Sequence, residues 1–236
     1  MKAVITGDII KSTYISDHAK MIRSLKLIMQ RLVEHEYIHA DGWEIFRGDS
    51  FQLVTEPDKA LLAALILRSG FRGGVYRFVS PLVVEDMLTE SIDVRLSIGI
   101  GSVGYLSNNI SESFGEAFTL SGKMLETITE RGLQLMICTP DEQLNAHFEM
   151  TCRLADVVIN DWSENSSQAI YRNLLAGETQ METAEFLGIS QSSVQNRLKI
   201  AHIDEIHYFL DYFKAQIPQL TEKYSYKEKS KGTLER

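Results

Sequence analysis

The sequence is poor in the features that mark secreted and membrane-embedded proteins. Its 236 residues include only two cysteines, and a chain of this length does not need a disulfide framework. The longest run of apolar residues, 60–67, has eight members, whereas a membrane-spanning helix needs roughly 18. Met1 and Lys2 lead directly into a strand-like segment, without the apolar stretch of a signal peptide. We therefore expect a cytoplasmic protein with reduced cysteines and no membrane partner.

Proline and positive charge are scarce as well. Four prolines and an apolar content of 44% do not fit a disordered chain. The 24 lysines and arginines are outnumbered by 32 aspartates and glutamates, for a net charge of −8, which argues against general binding to polyanions. The excess of acidic residues is local, however, because the net charge is −7 in residues 1–163 and −1 in residues 164–236. The acidity belongs to the first part of the chain.

Residues 1–139 have the patterns of a domain that mixes strands and helices. The segments follow the order β-α-β-β-α-β, and a further α-β unit comes after them. This order is typical of the split-βαβ, ferredoxin-like plan. Residues 73–91 have no legible pattern. The expected strands are 2–8, two short strands around Gly48 and Asp49, 93–101 and 133–138, and the expected helices lie at about 17–32, 57–67 and 112–129.

From residue 139 onward no strand is predicted. We expect a long amphipathic helix, then three shorter helices at about 167–176, 179–187 and 191–201. The last of these should run on to Ile217, where Pro218 ends it. The sequence therefore predicts an α+β protein with a ferredoxin-like domain over 1–139, a connecting helix over 140–163, an all-α domain over 164–218 and a basic flexible tail over 219–236.

The strongest motif lies between Gln180 and Lys199 and has the pattern of a helix-turn-helix. Two helices that cross steeply need a small residue at the crossing, and Ala184 fits that position. Gly188 tolerates the positive φ of the turn, and Ser190 is placed to cap the second helix. The outward face of that helix would then carry side chains that bind base edges and phosphates, namely Gln191, Ser192, Ser193, Gln195, Asn196, Arg197 and Lys199.

This motif resembles the DNA-binding helix-turn-helix of bacterial regulators, particularly the sigma-factor-like and LuxR-like type. The resemblance covers about 35 residues and implies that DNA is the partner. The segment 191–201 contains Arg197 and Lys199 but no acidic residue, and a homodimer would double these few phosphate contacts. The alternative is a helical hairpin that serves only for contacts with proteins.

An apolar stripe follows the second helix of the motif. Ile206, Leu210, Phe213 and Ile217 recur at helical spacing. Such a stripe forms a dimer seam or packs on the predicted helix 140–163 of the same chain. The spacing alone leaves both alternatives open.

Two aspartates stand out in the first domain. Asp8 ends the first predicted strand, and Asp49 lies in the hairpin turn beside Gly48. In the split-βαβ plan the first and third strands are antiparallel neighbours, so the two carboxylates would meet at one end of the sheet. Mg²⁺ prefers carboxylate oxygens, and the pair is therefore a candidate metal site. The alternative is that both are ordinary turn or capping residues.

Four short motifs in the same domain resemble the SatD family of bacterial proteins. They are 7–12, 47–52, 98–101 and 115–121, and the resemblance covers about residues 2–127. The SatD pattern is in turn similar to class III nucleotidyl cyclases and GGDEF domains, in which an Asp ends the first strand and Gly-Asp lies in the hairpin. The resemblance implies a palm-like site for Mg²⁺ and a nucleotide, with Lys123 as a candidate phosphate contact. Lys11 and Ser12 follow the first Asp and are placed to meet a phosphate as well, with helix capping as the alternative for Ser12.

The chain departs from those enzymes at residues that serve the reaction. GGDEF domains have a Glu after the hairpin Asp, where this chain has Ser50, and cyclases have Asn and Arg where it has Thr119 and Lys123. A lysine cannot reproduce the guanidinium fork, so we expect degenerate catalytic machinery. The leading hypothesis is a DNA-binding transcriptional regulator whose cyclase-like domain senses a nucleotide or another small effector, or forms a dimer. The alternative is a Mg²⁺-dependent nucleotide-processing enzyme with a helical accessory domain.

Overall fold

The chain is an α+β protein with a five-stranded mixed sheet and eight α-helices in the residues that the structure describes. The structure is a computed structural model, and it describes residues 1–15, 17–46, 48–74, 92–107 and 109–234. The predicted fold class is confirmed at this level. Most of the stretch without a legible pattern, 75–91, lies outside the described residues, as does Arg47 of the hairpin motif. None of the described helices is both long and apolar enough to cross a membrane.

The strands form a single sheet in which most neighbours are antiparallel. They are β1 (Lys2–Ile9), β2 (Ile38–Phe46), β3 (Ser50–Thr55), β4 (Val94–Gly101) and β5 (Leu135–Cys138). Their order in the sheet is β2-β3-β1-β4-β5, and only β4 and β5 run parallel. The first and third strands are therefore antiparallel neighbours, as the sequence predicted.

The helices fall into two groups. They are α1 (His18–Glu34), α2 (Ala60–Arg72), α3 (Glu116–Ile128), α4 (Glu142–Asn160), α5 (Glu164–Ala176), α6 (Gln180–Leu187), α7 (Gln191–Ile200) and α8 (Ile203–Leu234). The first three alternate with strands, and the last five follow β5 directly. α5 begins earlier than predicted because the Ser163 side chain accepts a hydrogen bond from the backbone N–H of Ser166.

The two faces of the sheet bury different clusters. Ile5 of β1 belongs to the main core, together with the fully buried Leu25 of α1. Val4, which points to the other face, packs in a smaller cluster with Ala117 of α3. The strand therefore alternates as its sequence predicts, with both sides covered at this point.

The predicted recognition segment ends sooner than expected. α7 stops at Ile200 and does not run on to Ile217. His202 takes a positive φ of 56°, and the carbonyl oxygen of Ala201 accepts a hydrogen bond from Trp162 Nε1. This bond and the left-handed residue break the helix, and α8 is a separate element.

Pro218 lies inside α8, so the prediction that it ends the helix was wrong. A proline removes one backbone donor and crowds the preceding turn, but contacts beyond it hold the helix together. Leu220 is buried, and the hydroxyl of Tyr224 donates a hydrogen bond to the carbonyl of Pro140. The helix therefore continues past residue 218 to Leu234.

The apolar stripe of α8 is buried within the chain. Ile206, Leu210, Phe213 and Ile217 are each at most 7% exposed. The ring of Phe213 lies 5.7 Å, between centroids, from that of Phe148 in α4. Of the two alternatives, packing on the chain's own long helix is therefore confirmed, and the stripe is not free to form a dimer seam.

Candidate nucleic-acid interface

α6 and α7 are two capped helices joined by a tight turn. Thr179 and Glu182 cap α6 through a reciprocal pair of hydrogen bonds. Gly188 ends α6 with a φ of 64°, a left-handed conformation that costs glycine little. Ser190 then caps α7 by accepting a hydrogen bond from the N–H of Ser193. Gly188 and Ser190 thus have the local roles that the sequence predicted.

Few side chains anchor α7 to the rest of the protein. Val194 is fully buried and Leu198 is 6% exposed. Ala184 of α6 is buried, and the half-buried Leu187 and Ile189 pack against the same core. α7 therefore rests on the body along one edge, and most of its surface faces solvent.

All seven predicted DNA-binding residues lie on α7. Arg197 and Lys199 lie in the last turn of α7 and form no ion pair with any described carboxylate. The hydroxyls of Ser192 and Ser193 also lie 3.0 and 2.8 Å from Ser190 Oγ and take part in the cap. Arg197 is half-buried, and the exposed residues are Gln191, Ser192, Ser193, Gln195, Asn196 and Lys199.

Trp162, to which the sequence assigned no functional role, holds the end of α7. Its side chain is 3% exposed, and Nε1 lies 3.0 Å from the carbonyl oxygen of Ala201. The Trp162 carbonyl accepts a hydrogen bond from Arg72 Nη2 at 2.8 Å, and Arg72 pairs with Asp93 at 2.9 Å. A chain of polar contacts therefore runs from the start of β4 to the end of α7. A bond between positions 39 residues apart leaves no local sequence signal.

Arg172 of α5 contacts residues just before the start of α6 and within it. Its guanidinium binds both carboxylate oxygens of Glu178 and lies 3.4 Å from the ring centroid of Phe186. Glu178 also accepts a hydrogen bond from the hydroxyl of Thr183. These contacts fix α6 to α5, and sequence reasoning missed them.

A buried charge network lies where the sheet meets the helical half. Arg68 of α2 is fully buried, and its guanidinium donates hydrogen bonds to Asp93, Asp156, Gln134 and Asn160. Burial alone would lower the pKa of Arg68, but the attraction of Asp93 and Asp156 outweighs it and raises the pKa. Asp156 also accepts the backbone N–H of Gln134 at 2.6 Å. One guanidinium thus joins α2, α4 and the starts of β4 and β5.

The two candidate metal ligands lie near each other in the sheet but have different partners. β1 and β3 place Asp8 opposite Ser50, next to the hairpin. The Asp8 oxygens accept hydrogen bonds from Arg95 Nε and Nη2 at 2.9 and 2.5 Å, whereas Asp49 accepts one from Ser12 Oγ at 2.6 Å. A cation beside Asp8 would meet the like charge of Arg95, and the described residues contain no group of three or more metal-ligand side chains. These contacts do not favour Mg²⁺, and the metal site stays a prediction.

The three residues predicted to contact phosphate differ in their surroundings. Lys11 is exposed and has a positive φ of 57°, and Lys123 is exposed on α3. The buried hydroxyl of Ser12 is already bound to Asp49. Sequence reasoning missed Arg95, although the alternation of 93–101 places it on the face opposite the apolar residues. Nucleotide binding by these residues stays a prediction.

Comparisons with protein-family models, with curated proteins and with solved structures found no match to this chain. The resemblances to the SatD family, to nucleotidyl cyclases and to bacterial regulators therefore stay predictions.

Proposed function

We propose that this chain is a cytoplasmic DNA-binding transcriptional regulator, with α6 and α7 as its helix-turn-helix and α7 as the recognition helix. The division of α7 into two faces carries the proposal. Val194 and Leu198 face the core, while the other side chains of α7 are polar or basic, apart from the exposed Ile200 at its end. No acidic residue interrupts that surface within 191–201. A helix used only for packing would not need a surface without acidic residues.

The exposed side chains suit the chemistry of DNA. Arg197 and Lys199 would bind phosphate oxygens or the acceptor edge of guanine. Amide side chains can bind adenine through two hydrogen bonds, and the hydroxyls lie at the N-terminal end of α7, where helix dipoles favour phosphate. The residues proposed to face base edges are Gln191, Ser192, Gln195 and Asn196.

The small number of cations favours a homodimer. A recognition helix with only Arg197 and Lys199 neutralises few phosphates, and affinity for DNA depends strongly on that number. Two copies of α7 on half-sites about one turn of DNA apart would double the contacts. We expect weak binding to a single half-site and tighter binding to a two-fold site.

The first half of the chain is proposed to be a ferredoxin-like, degenerate cyclase-type domain that senses a small molecule. Its support is the element order β1-α1-β2-β3-α2-β4, with β1 between antiparallel β3 and β4. The pairing of Asp8 with Arg95 supports a role other than metal-dependent catalysis.

Genome-wide capture of DNA bound to the full chain, followed by gel-shift assays on the recovered sites, tests the proposal. The double variant Asn196→Ala/Arg197→Ala should weaken binding by roughly 30-fold or more, because each specific contact contributes about 1–3 kcal/mol. Its stability should change little, since neither side chain is part of the core. Lys26→Ala/Gln30→Ala, on the exposed side of α1, is the matched control and should bind like the parent chain.

Equal DNA affinity in the double variant and the control would contradict the assignment of α7. Turnover of ATP or GTP with Mg²⁺ that is lost in Asp49→Ala would favour the enzyme alternative instead.

A further inference from the structure

A cavity of about 740 Å³ lies at the edge of the sheet formed by β2 and β3. It exists because β2 bulges. Ile38 pairs with Thr55 and Trp43 pairs with Leu53, so residues 39–42 stand opposite a single residue of β3. The volume is in the range of pockets that hold small molecules.

The connection between β4 and α3 forms the opposite wall of the cavity. It contributes Leu106 and Ile110, while Ile38 and Val54 contribute apolar surface from the strands. The N–H of Ser111 donates a hydrogen bond at 2.7 Å to the carboxylate of Glu44 in β2, and this bond connects the two walls. Both walls of the cavity therefore carry apolar side chains.

The charged groups around the cavity lie at different depths. Lys2 and Lys59 are half-buried, and Lys2 is paired with Glu56. Lys59 Nζ donates to the carbonyl of Glu36 at 2.8 Å and has no ion-pair partner among the described carboxylates. Lys59 is therefore the half-buried lysine of the lining that no described carboxylate neutralises, and its ammonium group keeps two N–H donors for a ligand. The exposed rim groups are Glu36, His39, Asp41 and Glu56.

Tyr37 connects the cavity to the helical half of the chain. It lines the cavity, and its hydroxyl shares its one hydrogen between the carbonyl oxygens of Leu174 and Leu175, which lie 3.3 and 3.0 Å away in the last turn of α5. Burial raises the pKa of Tyr37, so the hydroxyl stays a donor. α5 in turn packs against both α6 and α7. A molecule that moves the Tyr37 ring would therefore disturb the support of α7.

We propose that this cavity binds a small organic acid with an apolar body, and that Tyr37 transmits its occupancy to α5. Lys59 binds the carboxylate through the Nζ hydrogens that are not bonded to the carbonyl of Glu36. The apolar walls contact the apolar body of the acid. The regulatory meaning of this site rests on the proposed DNA-binding function, whereas binding of the acid does not.

Methyl NMR of the full chain, labelled at isoleucine and without DNA, tests the proposal with octanoate as the probe. Octanoate should shift the methyl signals of Ile38 and Ile110 at the cavity and of Ile170 in α5. Octanol and octylamine have the same apolar body without the negative charge. Each should bind at least about fivefold more weakly, because a charge-assisted hydrogen bond is lost.

Four variants separate the parts of the proposal. Lys59→Met should weaken octanoate binding by about fivefold or more, and Lys26→Met on α1 is the matched control that should not. Ala40→Trp fills the cavity from an exposed position and should abolish the shifts. Tyr37→Phe should keep the shifts at the cavity and lose the shift at Ile170.

Each part can be overturned separately. Signals of Ile38 and Ile110 that do not move at about 10 mM octanoate, where even weak millimolar binding is visible, would rule out the site. So would shifts confined to Ile206, which lies in the apolar groove between α4 and α8. Unchanged affinity in Lys59→Met would rule out the ligand class, and a shift at Ile170 that persists in Tyr37→Phe would rule out the link. Since DNA is absent, failure here is distinct from failure of DNA binding, which the gel-shift assays report.

Discussion

Trp162 donates a hydrogen bond from Nε1 to the carbonyl oxygen of Ala201, over 3.0 Å, at the junction of α7 and α8. Ala201 is 1% exposed, so water cannot readily replace the indole as the donor. His202, with its positive φ, follows at once, and the bond therefore fixes the point where the chain leaves α7. The direction of the proposed recognition helix thus depends on a residue just beyond α4.

Trp162→Phe is predicted to lower the free energy of unfolding by about 1–3 kcal/mol, because a buried carbonyl loses its donor while an aromatic ring is kept. Urea denaturation of the full chain measures the change. Trp43→Phe is the matched control, since Trp43 is half-buried in β2, and it should cost less. Equal losses in the two variants would mean that ring size, and not the hydrogen bond, accounts for the effect.

Arg68→Met is predicted to destabilise the fold by about 3–5 kcal/mol, since it leaves Asp93 and Asp156 buried without their cation. Arg153→Met removes an exposed ion pair with Glu149 and should cost about 0–1 kcal/mol. Denaturant unfolding at pH 7 compares the two. The buried network would lose its assigned structural role if the two arginine variants were equally stable.

The pH dependence of stability should include a contribution from Cys138. Burial raises the pKa of its thiol to about 11, whereas an unfolded cysteine ionises near pH 8.5. The stabilisation of the neutral thiol is therefore complete below about pH 8.5 and is lost as the pH rises towards 11. The gap in unfolding free energy between the parent chain and Cys138→Ala should narrow over this range. A gap that stays constant would show that the thiol does not titrate as described.

The same pKa predicts a slow reaction with thiol reagents. Burial also raises the pKa of Cys152 well above its usual value, so both cysteines should stay protonated and unreactive in the native state at pH 8. Unfolding in urea should expose both to a disulfide reagent. Rapid labelling of the native chain would contradict the burial of these side chains.

Short-range rules predicted the parts of the structure whose causes lie within a few residues. Gly188 and Ser190 mark the turn and the cap because both act on adjacent backbone. The alternation in β4 predicted its apolar face, and Val94 and Leu96 are fully buried, but Ser97 on the other face is fully buried as well. The same rules failed at Pro218, because contacts beyond the proline outweigh its local penalty.

Partners that are far apart in the sequence could not be predicted, because they meet only through the packing of the sheet and the helices. Arg68 and Asp156 are 88 positions apart, and Arg95 and Asp8 are 87 apart. The Arg95 pairing bears directly on the candidate metal site, since it supplies a cation that the sequence pattern did not connect with Asp8. The predicted site was therefore right about which strands meet and incomplete about which side chains share that end of the sheet.

Gly99 of β4 tests whether α3 is seated on the sheet as described. A β-carbon at Gly99 would lie 2.3 Å from the carbonyl oxygen of Ala117 and 2.5 Å from the backbone nitrogen of Ser121, and backbone atoms cannot rotate away. Gly99→Ala should therefore destabilise the fold by at least about 1–3 kcal/mol, the cost of overpacking. Gly122 lies in α3 with nothing within 4 Å of its β-carbon position, so Gly122→Ala should stabilise it by about 0.5–1 kcal/mol. Urea denaturation should give opposite signs, and a shared sign would mean that α3 does not approach β4 this closely.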